Sequence, residues 1–201
     1  MATQKERRRA TRRRLLDTAR ELFAIEGIED TSTEAVLEAA GTSRGAMYHH
    51  FASRDDLVAA VYEEVAAEAV DRARDRLDRD AAPLERLVAG SLAWLDEASR
   101  PEVARILVED GPAALGWERC RQIEERYSLG AITTELRTAA QAGAMELDSA
   151  DVTARLLSAA LAEAVLVMTH AQDRDRAANR RAVEAVVRSL LSGLATNAPT
   201  A

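Results

Sequence analysis

The sequence predicts an all-α protein, and three observations carry that prediction. Ala, Leu, Arg and Glu dominate the chain, and all four are good helix formers. Four Pro and nine Gly among 201 residues are too few for a turn-dense β fold. Apolar residues make up 47 % of the chain, enough for a sizeable core, and they recur at helical spacing. The length allows one large domain or a small domain joined to a larger one.

Each element follows from its own signals. Leu15, Leu16, Ala19, Leu22 and Phe23 form one apolar face, which predicts a first helix over about 6–26, with Gly27 as a left-handed stop. Thr31, Ser32 and Thr33 are N-cap candidates for a short second helix over about 33–40. Gly41-Thr42-Ser43 reads as a turn, with Ser43 capping a third helix over about 44–50. Ser53 caps a long fourth helix running towards residue 79, with Asp55 and Asp56 in its first turn, where the helix dipole favours anions. Pro83 and Pro101 suit first helical turns and predict helices over about 83–98 and 101–109. Asp110-Gly111-Pro112 reads as a breaker, residues 115–142 as one helix ending at Gly143, and residues 150–171 as the next, capped by Asp148 or Ser149. The polar run 172–179 reads as a connector or a frayed helix end. The last helix, about 177–195, carries the cleanest apolar stripe: Val183, Val186, Val187, Leu190, Leu191 and Leu194. The expected total is about nine helices.

Charge and composition narrow the function. The net charge of −7 argues against a nucleic-acid binder only if read globally. Residues 1–54 hold ten Lys/Arg against eight Asp/Glu, whereas residues 55–201 hold seventeen against twenty-six. The front is basic and the body acidic. A single cysteine, Cys120, excludes an intramolecular disulfide framework and fits a reducing compartment. No apolar run follows the basic N-terminus, which speaks against a secretory leader. The richest apolar segment, 156–168, is interrupted by Glu163, so no membrane span and a soluble, cytoplasmic protein are expected.

Against this background residues 39–51, "AAGTSRGAMYHHF", stand out. Metal binding fails on count: His49 and His50 diverge on a helix, the only other histidine is His170, and no paired-cysteine or HExxH spacing exists. Nucleophilic catalysis fares no better, because Cys120 lies mid-helix in "GWERCRQIEERY" with no histidine near. No metal, cofactor or enzymatic activity is expected. Two short helices joined by a glycine-containing turn are instead the signature of a helix-turn-helix, whose second helix enters the DNA major groove. Gly41 suits a turn of positive φ. Gly45 leaves the third helix bare, so that backbone can approach a phosphate. The hydroxyls of Thr31, Ser32, Thr33 and Ser43, with free helix N-termini, offer hydrogen bonds to phosphates.

Residues 11–57 resemble the N-terminal domain of the tetracycline-repressor (TetR) family of bacterial regulators. The resemblance rests on "TRRRLLDTARELFAIEG", "TSTEAVLEAAGTSRGAMYHHF" and "SRDDL" at kept spacing, about a quarter of the chain. Departures are Leu37 where the family usually has a small Ala, Thr42 for a common Val, and Arg54 for a common Lys. The resemblance implies a DNA-binding domain over residues 1–53 and a helical effector-binding and dimerisation domain over 54–201. It implies that Ser43, Arg44 and Gly45 open the recognition helix, with Arg44 reading guanine in a bidentate way. It implies that Tyr48 touches phosphate, that His49 lies at the groove, that Phe51 is core, and that Arg54 clamps phosphate. The arginine-rich leader, Arg7 to Arg14, is read as an arm along the duplex or as a solvated helix face. Tyr48 as a core aromatic and His50 as a structural or merely exposed residue are the plainer alternatives.

For the body, the resemblance implies an inducer site and a homodimer. Trp94, Leu107, Trp117, Arg121, Tyr127 and Met168 are the candidate pocket, with Arg121 able to fix an acidic ligand; plain core packing is the alternative. Leu156, Leu157, Leu161 and Val165 on one helix, and Val183, Val187, Leu190, Leu191 and Leu194 on the last, are candidates for a four-helix dimer interface; packing within one chain is the alternative. The function expected is a ligand-responsive regulator, by family habit a repressor, released from a palindromic double-stranded DNA operator by a small effector. A non-regulatory small-molecule binding protein and an architectural DNA-binding protein are the rival readings.

Overall fold

The structure, a computed structural model, describes residues 3–172 and 175–195. Among these residues every regular element is helical, and the only β feature is an isolated antiparallel bridge between Met145 and Ala195. The chain forms two compact units that interleave in sequence: Met1–Val65 with Pro101–Arg121, and Ala66–Arg100 with Gln122–Ala201. The boundary expected between residues 53 and 54 does not coincide with this division. Residues 101–121 join the N-terminal unit because their charged side chains pair within it.

In the first unit, α1 (Gln4–Glu26) starts at a capping box in which Thr3 and Glu6 satisfy each other's backbone N–H groups. The leader arginines therefore stand on a helix, not in an arm. The α1 face made by Leu15, Leu16, Ala19 and Phe23 is buried. Ser32 caps α2 (Thr33–Ala39) and Ser43 caps α3 (Arg44–Tyr48). The turn between them is a Schellman motif: Thr42 N donates to Leu37 O at 3.0 Å, Gly41 N donates to Glu38 O at 3.0 Å, and Gly41 has φ +57°. Val36 and Met47 pack inward with Ile28, Phe51 and Leu57. Ser53 Oγ accepts from Asp56 N at 3.1 Å and starts α4 (Arg54–Arg74), whose first half belongs to this unit.

Residues 101–126 depart from the expected pattern. After α6 (Pro101–Ala104) the chain widens into a π-helical stretch, Arg105–Asp110, and continues as α7 (Gly111–Leu115). Asp110-Gly111-Pro112 is not a breaker, because Pro112 falls in the first turn of α7, where its missing N–H costs nothing. Tyr62 Oη donates to Leu107 O at 3.4 Å within this packing. The single helix expected over 115–142 is two, α8 (Trp117–Arg126) and α9 (Ser128–Gln141). Gly116 enters α8 at φ +78°, and the break at Tyr127 has φ −122° and ψ −99°.

The second unit is a helical bundle of the end of α4 with α5 (Pro83–Ala98), α9, α10 (Ala150–Thr169) and α11 (Arg176–Gly193). A second Schellman turn at Gly143 closes α9, and Ser149 caps α10. Buried Glu97 is held by Arg76 and by Arg100 and Arg72 at 3.3 and 3.6 Å. By length and composition α10 is apolar enough to cross a membrane, with mean hydropathy 1.6, contrary to the expectation that no segment is. Only 22 % of that stretch is buried: α10 turns Ala154, Leu157, Leu161 and Val165 inward and leaves Val152, Leu156 and Val167 exposed.

The π-helical stretch makes a test. A Cβ on Gly111 would lie 2.3 Å from Ile106 O and 2.6 Å from the Tyr62 ring. Gly111→Ala is expected to lower stability by about 1–3 kcal/mol, the usual cost of overpacking, in a denaturant titration. An unchanged midpoint would contradict the packing described.

Candidate nucleic-acid interface

The exposed side of the α2–turn–α3 unit is built by exclusion. Met47 and Phe51 are buried, which turns Ser43, Arg44, Gly45, Tyr48 and His49 outward together. Tyr48 is 46 % exposed and so is not a core aromatic, whereas Phe51 is core as expected. Ser32 is exposed and Thr33 half-buried. Arg44 pairs with Glu34 of α2; both side chains are more than half exposed, so the pair contributes little and is easily exchanged for another partner. His50 is half-buried, and burial first, then Arg8, His49 and Arg12, holds its pKa below the ordinary histidine value. Arg12 lies over the Phe51 ring, 5.1 Å from its centroid.

Two expected phosphate ligands are otherwise engaged. Thr31 is 1 % exposed, and its hydroxyl donates to Gly27 O at 2.6 Å. Arg54 Nη2 donates to Ile28 O and to Thr31 O, the latter at 3.2 Å. Both residues serve the corner after α1 by donating to its loop carbonyls. The same corner is tied by residues that sequence reasoning missed. Arg105 donates to Ile25 O and Glu26 O at 2.8 and 2.9 Å, Asp110 accepts from Ile28 N at 3.0 Å, and Arg20 pairs with Glu102 at 2.5 Å. Arg119 pairs with Asp56 at 2.5 Å and, with Ser53, holds that carboxyl below its ordinary pKa. No local motif marks these residues; only the fold brings them to α1 and α4.

The second unit holds a cavity of about 800 Å³ among the ends of α4, α5 and α9, with Leu161 of α10. Of the expected pocket residues, Trp94 and Tyr127 line it. The others do not. Leu107 is buried in the first unit, Trp117 is 69 % exposed with Arg121 stacked on it at 4.3 Å, and Met168 contacts Ser99. The lining residues missed include Gly90 and Ser91, small residues in mid-α5 that open the space; this was the one available signal.

The expected dimer stripe also divides. Leu157, Leu161, Val165, Val187 and Leu191 are buried within one chain, Val183 and Leu194 are half-buried, and Leu190 is exposed. Period 3.6 locates a stripe but not which neighbour it meets. The outward apolar side chains are Val152, Leu156 and Val167 on α10 and Val186 and Leu190 on α11, each more than 40 % exposed.

A helix-turn-helix with an outward recognition face, joined to a helical bundle, defines a DNA-binding regulator, and the comparisons agree. Residues 15–61 match "Bacterial regulatory proteins, tetR family", and residues 84–194 match "Tetracyclin repressor-like, C-terminal domain". The chain is 36 % identical over 146 residues to the HTH-type transcriptional repressor Rv1474c of Mycobacterium tuberculosis, covering 69 % of this chain and 71 % of that one. It is 30 % identical over 113 residues to the HTH-type transcriptional repressor KstR2 of the same species, spanning 56 % of each. A TetR-family transcriptional regulator from Pectobacterium atrosepticum superposes with TM-score 0.74 at 29 % identity, covering 98 % of this chain and 99 % of that one. The chain belongs to the TetR family of bacterial transcriptional regulators.

Gly45 tests the reading face. It lies within α3, its φ is ordinary, and a Cβ there would meet nothing within 4 Å. No internal contact needs glycine, although glycine in a helix costs about 0.8–1.0 kcal/mol relative to Ala. Gly45→Ala is therefore expected to raise the melting midpoint while weakening DNA binding measured by anisotropy. A variant that is more stable and binds DNA equally well would remove this face from the interface.

Proposed function

We propose that the protein is a cytoplasmic repressor that binds a palindromic operator as a homodimer and is released when a small effector fills the cavity of its second unit. The observation that carries this is the outward set Ser43, Arg44, Gly45, Tyr48 and His49 on a short helix fixed from behind by Met47 and Phe51. Arg44 exchanges Glu34 for a base edge, where a bidentate contact to guanine discriminates by about 1–3 kcal/mol. Tyr48, His49, Ser32, Thr33 and Ser43 face phosphates, and these contacts set register without reading sequence. Arg12 and Arg14, exposed on α1, add to the basic surface. Thr31 and Arg54 act from behind, by shaping the corner.

The homodimer uses the outward side chains of α10 and α11, not the buried stripe. Val152, Leu156, Val186 and Leu190 of one copy meet those of a second across a two-fold axis and complete a four-helix bundle. That axis suits a palindrome whose half-sites lie about 34–36 Å, or a multiple of it, apart. The apolarity of α10 finds its use in this interface and in the core behind it. Effector binding changes the half-site spacing, and a coupling of about 1–3 kcal/mol releases the operator about 5–150-fold.

Selecting fragments of the native genome on the purified protein, at physiological salt with competitor DNA, tests the proposal. The expected result is enrichment of a few short palindromes. Arg44→Ala should lose that enrichment, and so should the double variant Leu156→Glu with Leu190→Glu, which should sediment as a monomer. Retention without sequence preference would favour an architectural protein. Ligand binding with no DNA retention, even after effector is stripped, would favour a binding protein without regulatory output.

A further inference from the structure

The cavity of the second unit has a charge pattern at odds with its surroundings. Residues 55–201 are acidic, with twenty-six Asp/Glu against seventeen Lys/Arg. The cavity lining reverses that balance: four arginines, Arg74, Arg79, Arg86 and Arg126, and one carboxylate, Glu135. The carboxylate is already engaged, because Arg86 donates to Glu135 from Nε at 3.2 Å and Nη2 at 3.0 Å. Arg86 is further fixed by donating to Ala81 O at 3.1 Å, which leaves it a neutralised, part-buried pair.

The remaining arginines sit at the solvent side. Arg74, Arg79 and Arg126 are exposed residues that also line the cavity, so they stand at its rim. Arg74 has only an exposed contact to Asp71 at 3.5 Å, and Arg79 forms no ion pair among the described residues. Behind them the walls are apolar: Val70, Leu87, Trp94, Ile132 and Leu161, of which Leu87 and Leu161 are at most 2 % exposed. An apolar interior and a cationic rim select opposite ends of one molecule. Guanidinium groups match acid oxygens in a planar fork, while the interior rewards buried carbon.

We infer that the cavity takes an amphipathic organic anion, with its apolar body between α4, α5 and α9 and its acid group at Arg74 and Arg79 on the rim. This rests on the proposal that the cavity is the effector site, and it adds the chemical class. The site lies wholly in the second unit and uses none of Leu107, Trp117 or Arg121. A neutral ligand of equal size gains the walls but not the rim, and a cation is repelled by it.

Trp94 lines the cavity and supplies the measurement, since the chain has only one other tryptophan. In the full-length Trp117→Phe protein, Trp94 fluorescence is titrated with two matched pairs, decanoate with decanol and 2-naphthoate with 2-naphthol. The expected result is saturable change with at least one carboxylate, roughly tenfold tighter than its alcohol, as a charge-assisted hydrogen bond provides. The preference should shrink as salt is raised. Arg79→Gln and Arg74→Gln, both at exposed positions, should reduce the preference while leaving alcohol binding unchanged. Equal affinity for acid and alcohol would overturn the anion class and leave the effector cavity standing. Saturation by none of the four probes would overturn both. A carboxylate preference that survives the two arginine variants together would place the acid elsewhere and contradict the inference.

Discussion

The C-terminal end of α1 has carbonyl groups with no helical partner, and the DNA-reading unit depends on how they are satisfied. Arg105 supplies donors to Ile25 O and Glu26 O, and the opposite charge of Asp110 receives the Ile28 amide just beyond. Arg54 and Thr31 close the same corner from the other side through Ile28 O, Thr31 O and Gly27 O. A cation at a helix C-terminus is favoured by the dipole as well as by the hydrogen bonds. The corner sets where Ser32 starts α2, the Schellman turn at Gly41 sets where α3 follows, and α3 carries the reading face.

The ties that hold this corner come from a distant part of the sequence. Residues 101–121 lie between two stretches of the second unit, so the chain leaves that unit at Arg100 and returns to it at Gln122. The segment is short, contains a π-helical stretch, and is fastened by Arg20–Glu102, Arg105, Asp110 and Arg119–Asp56. Those are polar contacts with directional geometry, which hold or break rather than deform. The second unit is thus joined to the first by the chain at both ends of this segment, in addition to α4.

Much of this was legible in the sequence, and the failures share a physical cause. Caps and turns are local, so Ser32, Ser43, Ser53, Gly41 and Gly143 act where their neighbours indicate. Burial by period is local too, and the α1 face made by Leu15, Leu16, Ala19 and Phe23 is buried as its spacing indicates. Thr31 and Arg54 donate to loop carbonyls here, because a hydroxyl or guanidinium suited to phosphate is equally suited to a backbone carbonyl. The stripe on α11 was real, but Val187 and Leu191 face their own bundle and Leu190 faces outward, a distinction that requires the partner helices. Of the cavity lining, Trp94 and Tyr127 are legible as spare aromatics, whereas Arg74, Ser91 and Ile132 lie on three helices that only the fold brings together.

Residues 101–121 hold the corner after α1 and, through it, the reading face. Residue-resolved hydrogen exchange on the Arg105→Met protein tests it most directly, since methionine keeps an apolar stem and removes the donors. Loss of these solvent-exposed bonds, together about 1.5–3 kcal/mol, predicts exchange faster by about ten- to a hundredfold for Ile28 and Thr31 and through α2 and α3, with α10 unchanged. Unaltered protection at Ile28 and Thr31 in the variant would show that Arg105 does not hold this corner.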